Sequence, residues 1–595
     1  MDSQWNEQNA TALEGDFKAL RVYTSQLLGR DPNLVLHGGG NTSVKLTESD
    51  PSGQDQKLLF IKGSGQDLAT IDESGFTAVR IETLLRMAQC ESLTDSDMVS
   101  QQRLATTNTN APNPSVEAIL HAIIPFRFVD HTHADSIIAI TNTPDGIRRI
   151  KDCFSDRLLI IPYVMPGFIL ARTVYEMTQG IQWSQYDGMV LMNHGLFTFG
   201  DDARSSYEAM IDLVSRAEDY LRANGAHDLA RAELADRNAI EVAQLRRAVA
   251  DARGKPVVAI WDTSAESVGF ARLKNISNIA MQGPVTPDHS IRTKRIPMLL
   301  DGDIESCIQA YGQEYQKYFD THKAEGLTCL DPAPRWVIAP EHGLISFGAT
   351  LEEANIIADI VRHTAKVVQQ AEALGGWTAL SPQDVFDVEY WELEQAKLNH
   401  QQAALPLQGK IALVTGGASE IGKAIVHQLS ADGAVVIAAD INPDIESMFA
   451  SEDIVGQVCD VCDANALLKT IRNCISTFGG IDIVVSNAGI LKPTSESEND
   501  ARVKAAKLTL AQHKNLFQQC VPFLNYGIDP TFVLIDRQND PPHENGASID
   551  ADSKADLDQF IRDAALELGI LILVNKIPAA EKHQLKGWSI NKGLI

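Results

Sequence analysis

Apolar positions along this chain alternate between the two-residue period of strands and the longer period of helices. In the first 245 residues or so, the strand-like LLFIKG precedes the helix-like VRIETLLRMAQC and, later, the strand-like DGMVLMNHGLFTFG. This alternation predicts an α/β fold. A charged helical segment, AHDLARAELADRNAIEVAQLRRAVADARG, then leads to the strand pattern PVVAIWD. We therefore expect a domain boundary near residue 250.

Two further regions follow this boundary. In the middle region, Glu341-His342-Gly343 and the following helix echo Asn193-His194-Gly195 and its helix, which indicates a partial internal repeat. After the polar segment QAKLNHQQAALPLQGK, the pattern IALVTGG predicts the strand, turn and helix of a nucleotide-binding unit. The predicted organisation is three α/β units over residues 1–250, 251–404 and 405–595, the last being a truncated, doubly wound Rossmann-like domain.

Composition and charge narrow the class of protein. Of the 595 residues, 44% are hydrophobic and 22% charged, and no apolar run approaches the roughly 18 residues of a membrane span. A formal net charge of -27 argues against nucleic-acid binding, which needs a basic surface. The opening residues lack a secretory signal and the eight cysteines are scattered, so we expect a cytoplasmic protein without membrane contact. The pair Cys459 and Cys462 has no second CxxC, which disfavours a redox or metal role.

Three histidines carry the main chemical signal. His131 and His133 are two residues apart in a strand-like segment, so their imidazoles can project from one face toward one ion. His194 follows the apolar strand MVLMN and could supply a third ligand. Three ligands leave a position open for substrate, as catalytic zinc sites do, and Glu117 could fill it at rest. The alternative is that His131 and His133 are merely polar residues of a half-buried strand.

The order of motifs in the first 245 residues or so resembles the class II aldolase family, which also includes sugar-phosphate epimerases and adducin-type proteins. The motifs are Gly38-Gly39-Gly40-Asn41-Thr42-Ser43, Lys62-Gly63-Ser64-Gly65, Glu117, His131-Thr132-His133 and His194. The resemblance implies an α/β/α domain in which the three histidines bind zinc and Glu117 shuttles a proton. It also implies a phosphate site lined by Gly40, Asn41, Ser64, Gly65 and Ser115. Glycine-rich turns suit phosphate binding because they expose backbone N–H groups. The alternative explanation is that the glycines are there because a tight turn requires a positive φ.

This resemblance implies retro-aldol cleavage of a sugar phosphate. Zinc bound to the hydroxyketone of a ketose 1-phosphate such as rhamnulose phosphate would stabilise the enediolate, which Glu117 would protonate to give dihydroxyacetone phosphate and an aldehyde. Epimerisation or dehydration at the same metal, or a non-catalytic scaffold of the adducin kind, are the alternatives. We expect Ser115 to cap the following helix, His121 to support the site without binding the metal, and the chain to form a homo-oligomer.

The middle region contains a dense polar run, Gly283–Lys294. It could supply Arg292 or Lys294 to a substrate phosphate or to a neighbouring subunit, or it could be a surface salt-bridge loop. His342 has no HxH companion in its half of the chain. We therefore interpret His342 as structural and expect no second metal site.

From about residue 408 the chain contains Thr415-Gly416-Gly417-Ala418-Ser419-Glu420-Ile421-Gly422 after a strand, Asp440 at the end of the next strand, Asp460-Val461, and Asn487-Ala488-Gly489. These motifs resemble the short-chain dehydrogenase/reductase family. With the first part, the chain resembles the bifunctional rhamnulose-phosphate aldolase and dehydrogenase fusions. The resemblance implies an NAD site, with Asp440 favouring NAD over NADP by accepting ribose hydroxyls. The implied cofactor-binding residues are Gly416, Ser419, Ile421, Gly422, Asp440, Asp460, Val461, Asn487, Ala488 and Gly489.

This last unit departs from the family pattern at its cofactor turn and its catalytic residues. Glu420 stands where the TGxxxGxG turn has glycine, and its carboxylate would repel an anionic cofactor from the helix N-terminus. Alignment on Ser553 and Lys554 puts Asp550 at the place of the catalytic tyrosine, and the catalytic serine falls near Arg537 or Gln538. We therefore expect weakened NAD binding and a unit retained for packing. The alternatives are NAD-dependent oxidation of the aldehyde or of an alcohol, and altered chemistry at Asp550.

Overall fold

The computed structural model describes residues 1–234, 238–399, 403–487, 498–538, 559 and 571–578. These residues form three separate sheets of seven, four and six strands, with helices packed against them. The α/β fold class predicted from the apolar pattern is confirmed. Within these ranges no helix is both long enough and apolar enough to cross a membrane.

The first unit, residues 1–234, contains a mixed seven-stranded sheet. Its strands are β1 Asn41–Ser49, β2 Asp55–Lys62, β3 Phe76–Arg80, β4 Phe128–Thr132, β5 Leu158–Ile161, β6 Gly188–Leu191 and β7 Gly195–Gly200. Their order is β3-β2-β1-β4-β7-β6-β5, and only β5 and β6 are parallel neighbours. The central position of β4 and β7 buries both strands.

Helices cover both faces of this sheet. They are α1 Glu7–Thr11, α2 Phe17–Gly29, α3 Ile81–Ala88, α4 Asp95–Leu104, α5 Ala118–Ile123, α6 Asp135–Thr141, α7 Gly146–Phe154, α8 Phe168–Met177 and α9 Ala203–Ala223. Alternate strand residues point to opposite faces. Leu158 and Leu196 thus join the core beneath α6 and α9, whereas Leu159 and Phe197 join the core beneath α3, α5 and α8.

The second unit, residues 238–399, is built on a four-stranded sheet. Its strands are β8 Val258–Asp262, β9 Met298–Leu299, β10 Trp336–Ala339 and β11 Gly343–Gly348, in the order β8-β11-β10-β9. Its helices are α10 Ala239–Arg253, α11 Ala265–Ala271, α12 Ile276–Ala280, α13 Ser290–Thr293, α14 Ile304–His322, α15 Leu351–Ala373, α16 Pro382–Glu389 and α17 Glu392–Asn399. A single apolar core joins this unit to the first, because α15 packs beside α6.

The second sheet repeats half of the first. Its order β8-β11-β10-β9 matches β4-β7-β6-β5, and in both the last pair is parallel and the others are antiparallel. The turn glycines agree too, since a Cβ on Gly195 or Gly343 would lie 2.4 Å from the carbonyl oxygen of the neighbouring strand. Asp202 and Thr350 then cap the helices that follow the two hairpins. The short echo in the sequence is therefore part of a four-stranded structural repeat.

The third unit begins at residue 403 and has an all-parallel sheet. The strands are β12 Ile411–Thr415, β13 Val435–Asp440, β14 Ile454–Val458, β15 Ile483–Ser486, β16 Thr531–Gln538 and β17 Leu571–Pro578, in the order β14-β13-β12-β15-β16-β17. This is the doubly wound Rossmann order. The helices are α18 Glu420–Ala431, α19 Ala464–Phe478 and α20 Glu498–Leu524.

Candidate metal centre

The three predicted histidines lie at the end of β4 and in the turn that leads into its neighbour β7. His131 lies in β4, His133 follows the end of that strand, and His194 lies in the tight turn between β6 and β7. Asn193 adopts a positive φ of 59° in this turn. The strand expected to hold both histidines of the pair ends at Thr132, because α6 begins at Asp135. One nitrogen of each imidazole lies within 4.8 Å of the others, so these three histidines can hold a metal ion.

The hydrogen bonds and burial of the histidines suit metal binding. The Nε2 atoms of His131 and His133 are 3.1 Å apart, and Nδ1 of His131 lies 3.1 Å from the carbonyl oxygen of Leu196. This carbonyl favours a proton on Nδ1 of His131, which leaves Nε2 as the ligand atom. Burial lowers the pKa of His131 to about 4 and the pKa of His133 well below its usual value. Both imidazoles are therefore neutral at neutral pH, the form that binds metal.

Glu117 reaches the same cluster from the N-terminus of α5. Its Oε2 atom is 3.5 Å from Nε2 of His131, and its Oε1 atom is 3.9 Å from Nε2 of His194. The Asn41 amide donates a 2.6 Å hydrogen bond to Oε2, whereas buried Oε1 has no hydrogen-bond partner among the described residues. A buried carboxylate oxygen without a donor is costly unless a ligand, metal or water satisfies it. Its orientation toward the histidines suits a role beside a bound ion.

Behind Glu117 lies a chain of buried polar groups. The side-chain amide oxygen of Asn41 contacts Nε2 of His121, and Nδ1 of His121 is 2.8 Å from the hydroxyl of Ser43. Burial, with nearby positive groups, lowers the pKa of His121 well below its usual value, so this ring is neutral. His121 is absent from the metal-competent group of the described residues. It supports Asn41, which in turn holds Glu117.

The two glycine-rich turns predicted to bind phosphate lie beside the cluster. Gly40 has a φ of +54°, and a Cβ there would lie 2.6 Å from the carbonyl oxygen of His131. Gly65 has a φ of +79° and faces open space, as a turn that receives a ligand would. Lys62 connects the turns by donating to the carbonyl oxygens of Gly38 and Gln66 at 2.5 and 2.7 Å. The turns are thus held in one place, and Gly65 leaves room for a ligand.

Three other predicted phosphate-site residues are engaged within the protein. The Asn41 amide is buried between Glu117 and His121. The backbone N–H of Ser64 donates to the carbonyl oxygen of Asn113. Ser115 does not cap α5 as expected, because the helix begins only at Ala118. Its hydroxyl instead accepts a 3.3 Å hydrogen bond from the N–H of Glu117, which orients the carboxylate-bearing residue.

Two contacts from the second unit were missed by the sequence reasoning. Asp288 lies with one carboxylate oxygen 3.5 Å from Nδ1 of His133 and 3.8 Å from Nε2 of His194. Asp359 of α15 lies 2.8 Å from Nε2 of His37, just before the first glycine turn. Asp288 belongs to the polar run flagged in the sequence, but nothing in the spacing of that run indicates a return to the histidines.

Lys294, the last residue of the polar run, lies elsewhere. The ammonium of Lys294 is buried 3.6 Å from the centre of the Tyr315 ring and donates to the carbonyl oxygen of Asp331. It therefore packs inside the second unit, away from the histidine cluster. His342 is also buried, with its ring against Trp261 and Nε2 at 3.1 Å from the carboxylate of Glu241. Among the described residues the metal-competent group contains His194 but not His342.

The third unit forms a tight turn at its predicted cofactor site. Gly416 has a φ of +67°, and a Cβ on Gly422 would lie 2.0 Å from the Gly416 carbonyl oxygen, so neither position suits a larger residue. Ser419 caps α18 by accepting from the N–H of Gly422, and Asn487 donates to the Gly416 carbonyl and Ser419 hydroxyl at 3.0 and 3.2 Å. Buried Ile421 anchors the helix. Glu420 is its exposed first residue.

The acidic residues implied in cofactor binding lie at the ends of two strands. Asp440 ends β13 and accepts 3.0 Å hydrogen bonds from the N–H groups of Ala418 and Asn442. Asp460 and Val461 follow β14, and Asp460 accepts from the N–H of Cys462. The residues predicted in the later motifs, Ala488, Gly489, Asp550, Ser553 and Lys554, lie outside the described residues.

Comparison with known families assigns each region of the chain. Residues 20–221 match the Class II Aldolase and Adducin N-terminal domain, and residues 236–398 match the second domain of class II aldolase. Residues 410–579 match the short chain dehydrogenase family. The chain is therefore a fusion of class II aldolase-type domains with a short-chain dehydrogenase domain, as the two resemblances in the sequence predicted.

Individual relatives agree with this assignment. The chain is 29% identical over 535 residues to a Bacillus subtilis (strain 168) protein described as Uncharacterized oxidoreductase YuxG, across 85% of this chain and 77% of that protein. It is 39% identical over 98 residues to (+)-borneol dehydrogenase 1 of Salvia officinalis, across 16% of this chain and 38% of that enzyme.

Two solved structures match separate parts of the chain. The N-terminal class II aldolase domain of a conserved protein from Thermoplasma acidophilum is 43% identical with a TM-score of 0.34, across 37% of this chain and all of that domain. A short-chain dehydrogenase/reductase from Serratia marcescens BCRC 10948 is 30% identical with a TM-score of 0.24, across 29% of this chain and 79% of that chain.

Proposed function

We propose that the first unit is a zinc-dependent aldolase that cleaves a ketose 1-phosphate, of the rhamnulose phosphate type, to dihydroxyacetone phosphate and an aldehyde. The observation that carries this proposal is the convergence of three histidines with one carboxylate oxygen that lacks a hydrogen-bond partner among the described residues. Three nitrogen ligands leave an open position, and nitrogen-rich sites of this kind suit zinc. His131, His133 and His194 would hold the ion.

The residues around the cluster have distinct roles in this proposal. Bound zinc supplies Lewis acidity for the negative charge that develops on the substrate oxygens. Cleavage removes a proton from the hydroxyl that becomes the aldehyde and adds a proton to the carbon retained in dihydroxyacetone phosphate. Glu117 would deliver the second proton, and Asn41 would hold its carboxylate in place. The turns around Gly40 and Gly65, with Ser64 and Ser115 nearby, would receive the substrate phosphate.

A direct test combines metal analysis with substrate cleavage. The full chain is assayed for bound zinc and for aldehyde release from a panel of ketose 1-phosphates, before chelation, after chelation and after zinc is restored. Cleavage that disappears with the metal and returns with zinc supports the aldolase. Zinc-loaded protein that cleaves none of the panel favours an epimerase or dehydratase at the same site, and metal-free inert protein favours a scaffold.

NAD-dependent oxidation of the aldehyde or of an alcohol by the third unit is the second candidate function. The glycine turn before α18 and the placement of Asp440 at the end of β13 support it. Against full activity stands Glu420, whose charge at the N-terminus of α18 opposes an anionic cofactor. An NAD titration of the full chain, followed by measurement of NADH formation with aldehydes and alcohols as substrates, distinguishes a working dehydrogenase from a packing unit.

The proposal extends to the whole chain. Residues 1–250 would perform cleavage, residues 251–404 would complete the same site, and residues 405–595 would form the dehydrogenase unit. The small-molecule partner would be a sugar phosphate, and the protein would act in the cytoplasm as a homo-oligomer. Sedimentation of the purified chain tests the assembly state.

A further inference from the structure

The second unit retains the strand order of the first but contributes no histidine to the metal-competent group of the described residues. It does, however, extend one acidic residue into that group. The short 3-10 helix Pro287–His289 brings Asp288 to the histidines across the boundary between the units. Asp288 is thus a carboxylate from one unit that contacts proposed ligands of the other.

We infer that Asp288 is a positioning residue for the metal centre, an inference that rests on the proposed zinc-dependent function. Its Oδ2 atom is 3.5 Å from Nδ1 of His133, while Nε2 of the same ring faces Nε2 of His131 at 3.1 Å. A carboxylate beside Nδ1 favours the tautomer that carries its proton there, which leaves Nε2 for the ion. Asp288 therefore faces Nδ1 of His133, at the longer distance of 3.5 Å, as the carbonyl oxygen of Leu196 faces Nδ1 of His131 at 3.1 Å.

The charge of Asp288 adds a second contribution. Imidazole ligands bring no negative charge to a divalent cation, whereas a carboxylate beside them, such as that of Glu117, does. Asp288 brings another, and its Oδ2 atom is also 3.8 Å from Nε2 of His194. Outer carboxylates of this kind raise the basicity of ligating histidines, and their loss typically weakens metal affinity 10- to 100-fold. The second unit would thereby control how tightly the first unit holds its ion.

The experiment measures zinc affinity by competition with a chromophoric chelator, using the full chain. Asp288→Asn preserves size but removes the charge, and Asp288→Ala removes both. Asp359→Asn is the matched control, because Asp359 belongs to the same unit, also contacts a histidine, and is 37% exposed against 38% for Asp288. Thermal unfolding of each metal-free variant checks that the fold is unchanged.

Each Asp288 variant is expected to raise the zinc dissociation constant about 10- to 100-fold, with Asp359→Asn and the metal-free unfolding midpoint close to the parent. A rise of less than tenfold in both Asp288 variants, or an equal rise in Asp359→Asn, would overturn the inference. The parent protein and His131→Ala separate this result from the proposed function. If the parent binds no zinc, or if His131→Ala binds it equally well, the zinc centre itself is wrong.

Discussion

The two repeated hairpins of the aldolase-type region have the same backbone and different chemistry. In the first, His131 of β4 pairs with Phe197 of β7; in the second, Trp261 of β8 pairs with Ile345 of β11. Counting from the turn glycines, Trp261 and Thr263 therefore take the places of His131 and His133. Only the turn histidine is retained, as His194 and His342. Two side chains thus separate a metal-competent cluster from a packed core.

In the second hairpin, packing contacts occur where the first hairpin has its proposed metal ligands. The indole N–H of Trp261 donates a 2.5 Å hydrogen bond to the carbonyl oxygen of His342, and the two rings meet edge to face. Arg246 of α10, buried in the same unit, forms a paired contact with Asp482 of the dehydrogenase unit. The second unit therefore contacts both other units, the first through the shared apolar core and the third through the pair Arg246 and Asp482. The same strand arrangement thus carries a metal-competent histidine cluster in one hairpin and a packed core in the other. Function therefore depends on the side chains and not on the strand arrangement.

The largest expected effect separates the two equivalent histidines. His194→Ala removes one of three proposed ligands, so the protein should lose its bound zinc and its cleavage activity on purification. His342→Ala should retain both, at the cost of a lower unfolding midpoint from the cavity beside Trp261. Zinc content and aldehyde release are measured for each. Equal metal loss in the two variants would contradict the distinction drawn between the hairpins.

A sharper change leaves the metal in place and removes the proton donor. Assayed at saturating zinc, Glu117→Gln should keep the ion on the three histidines and should lower kcat about 10²- to 10⁴-fold because an amide cannot transfer the proton. Steady-state kinetics with the best ketose 1-phosphate and metal analysis of the same sample test this. Parent-like kcat would assign proton transfer to another group. Asp359→Asn serves as the control carboxylate.

Because the second unit contacts both other units, breaking its contact with the third unit should lower the free energy of unfolding without changing the zinc content. Arg246→Met leaves Asp482 buried without its cation, and removing one partner of such a pair typically costs 3 to 5 kcal/mol. We expect a lower midpoint in denaturant and unchanged zinc content. The double variant Arg246→Met with Asp482→Leu should recover part of the loss. Full stability in Arg246→Met would show that the pair does not hold the units together.

The smallest effect concerns pH in the metal-free protein. Burial lowers the pKa of His131 from 6.5 to about 4 in the folded state. As the pH falls from 6.5 toward 4, this imidazole takes up a proton in the unfolded chain but not in the folded chain. The contribution of His131 to the free energy of unfolding is therefore complete above pH 6.5 and declines below it. The contribution is about 3 kcal/mol. His131→Gln should flatten this decline in unfolding measurements, and parallel curves for parent and variant would contradict the assignment.

The sequence by itself determined the local elements and the class of the chain. The apolar periods predicted strands at β2 and β12, and the glycine turns and HxH pair carried the aldolase resemblance. The single strand predicted over residues 187–200 is instead divided by the turn at His194 into the antiparallel pair β6 and β7. These features are local, because strand period, turn glycines and motif spacing act over a few residues. The sequence similarity around His342 was visible for the same reason, although only a short part of the structural repeat is recognisable in the sequence.

Tertiary structure decided the contacts made across long separations in the chain. It placed Asp288 beside His133, engaged Asn41 with Glu117 rather than leaving its amide open, and began α5 too late for Ser115 to cap it. It also revealed that Trp261 occupies the place of His131, which follows only from strand register. Sequence spacing could not supply these facts, because the residues meet only when sheets and helices from distant segments pack on a common core.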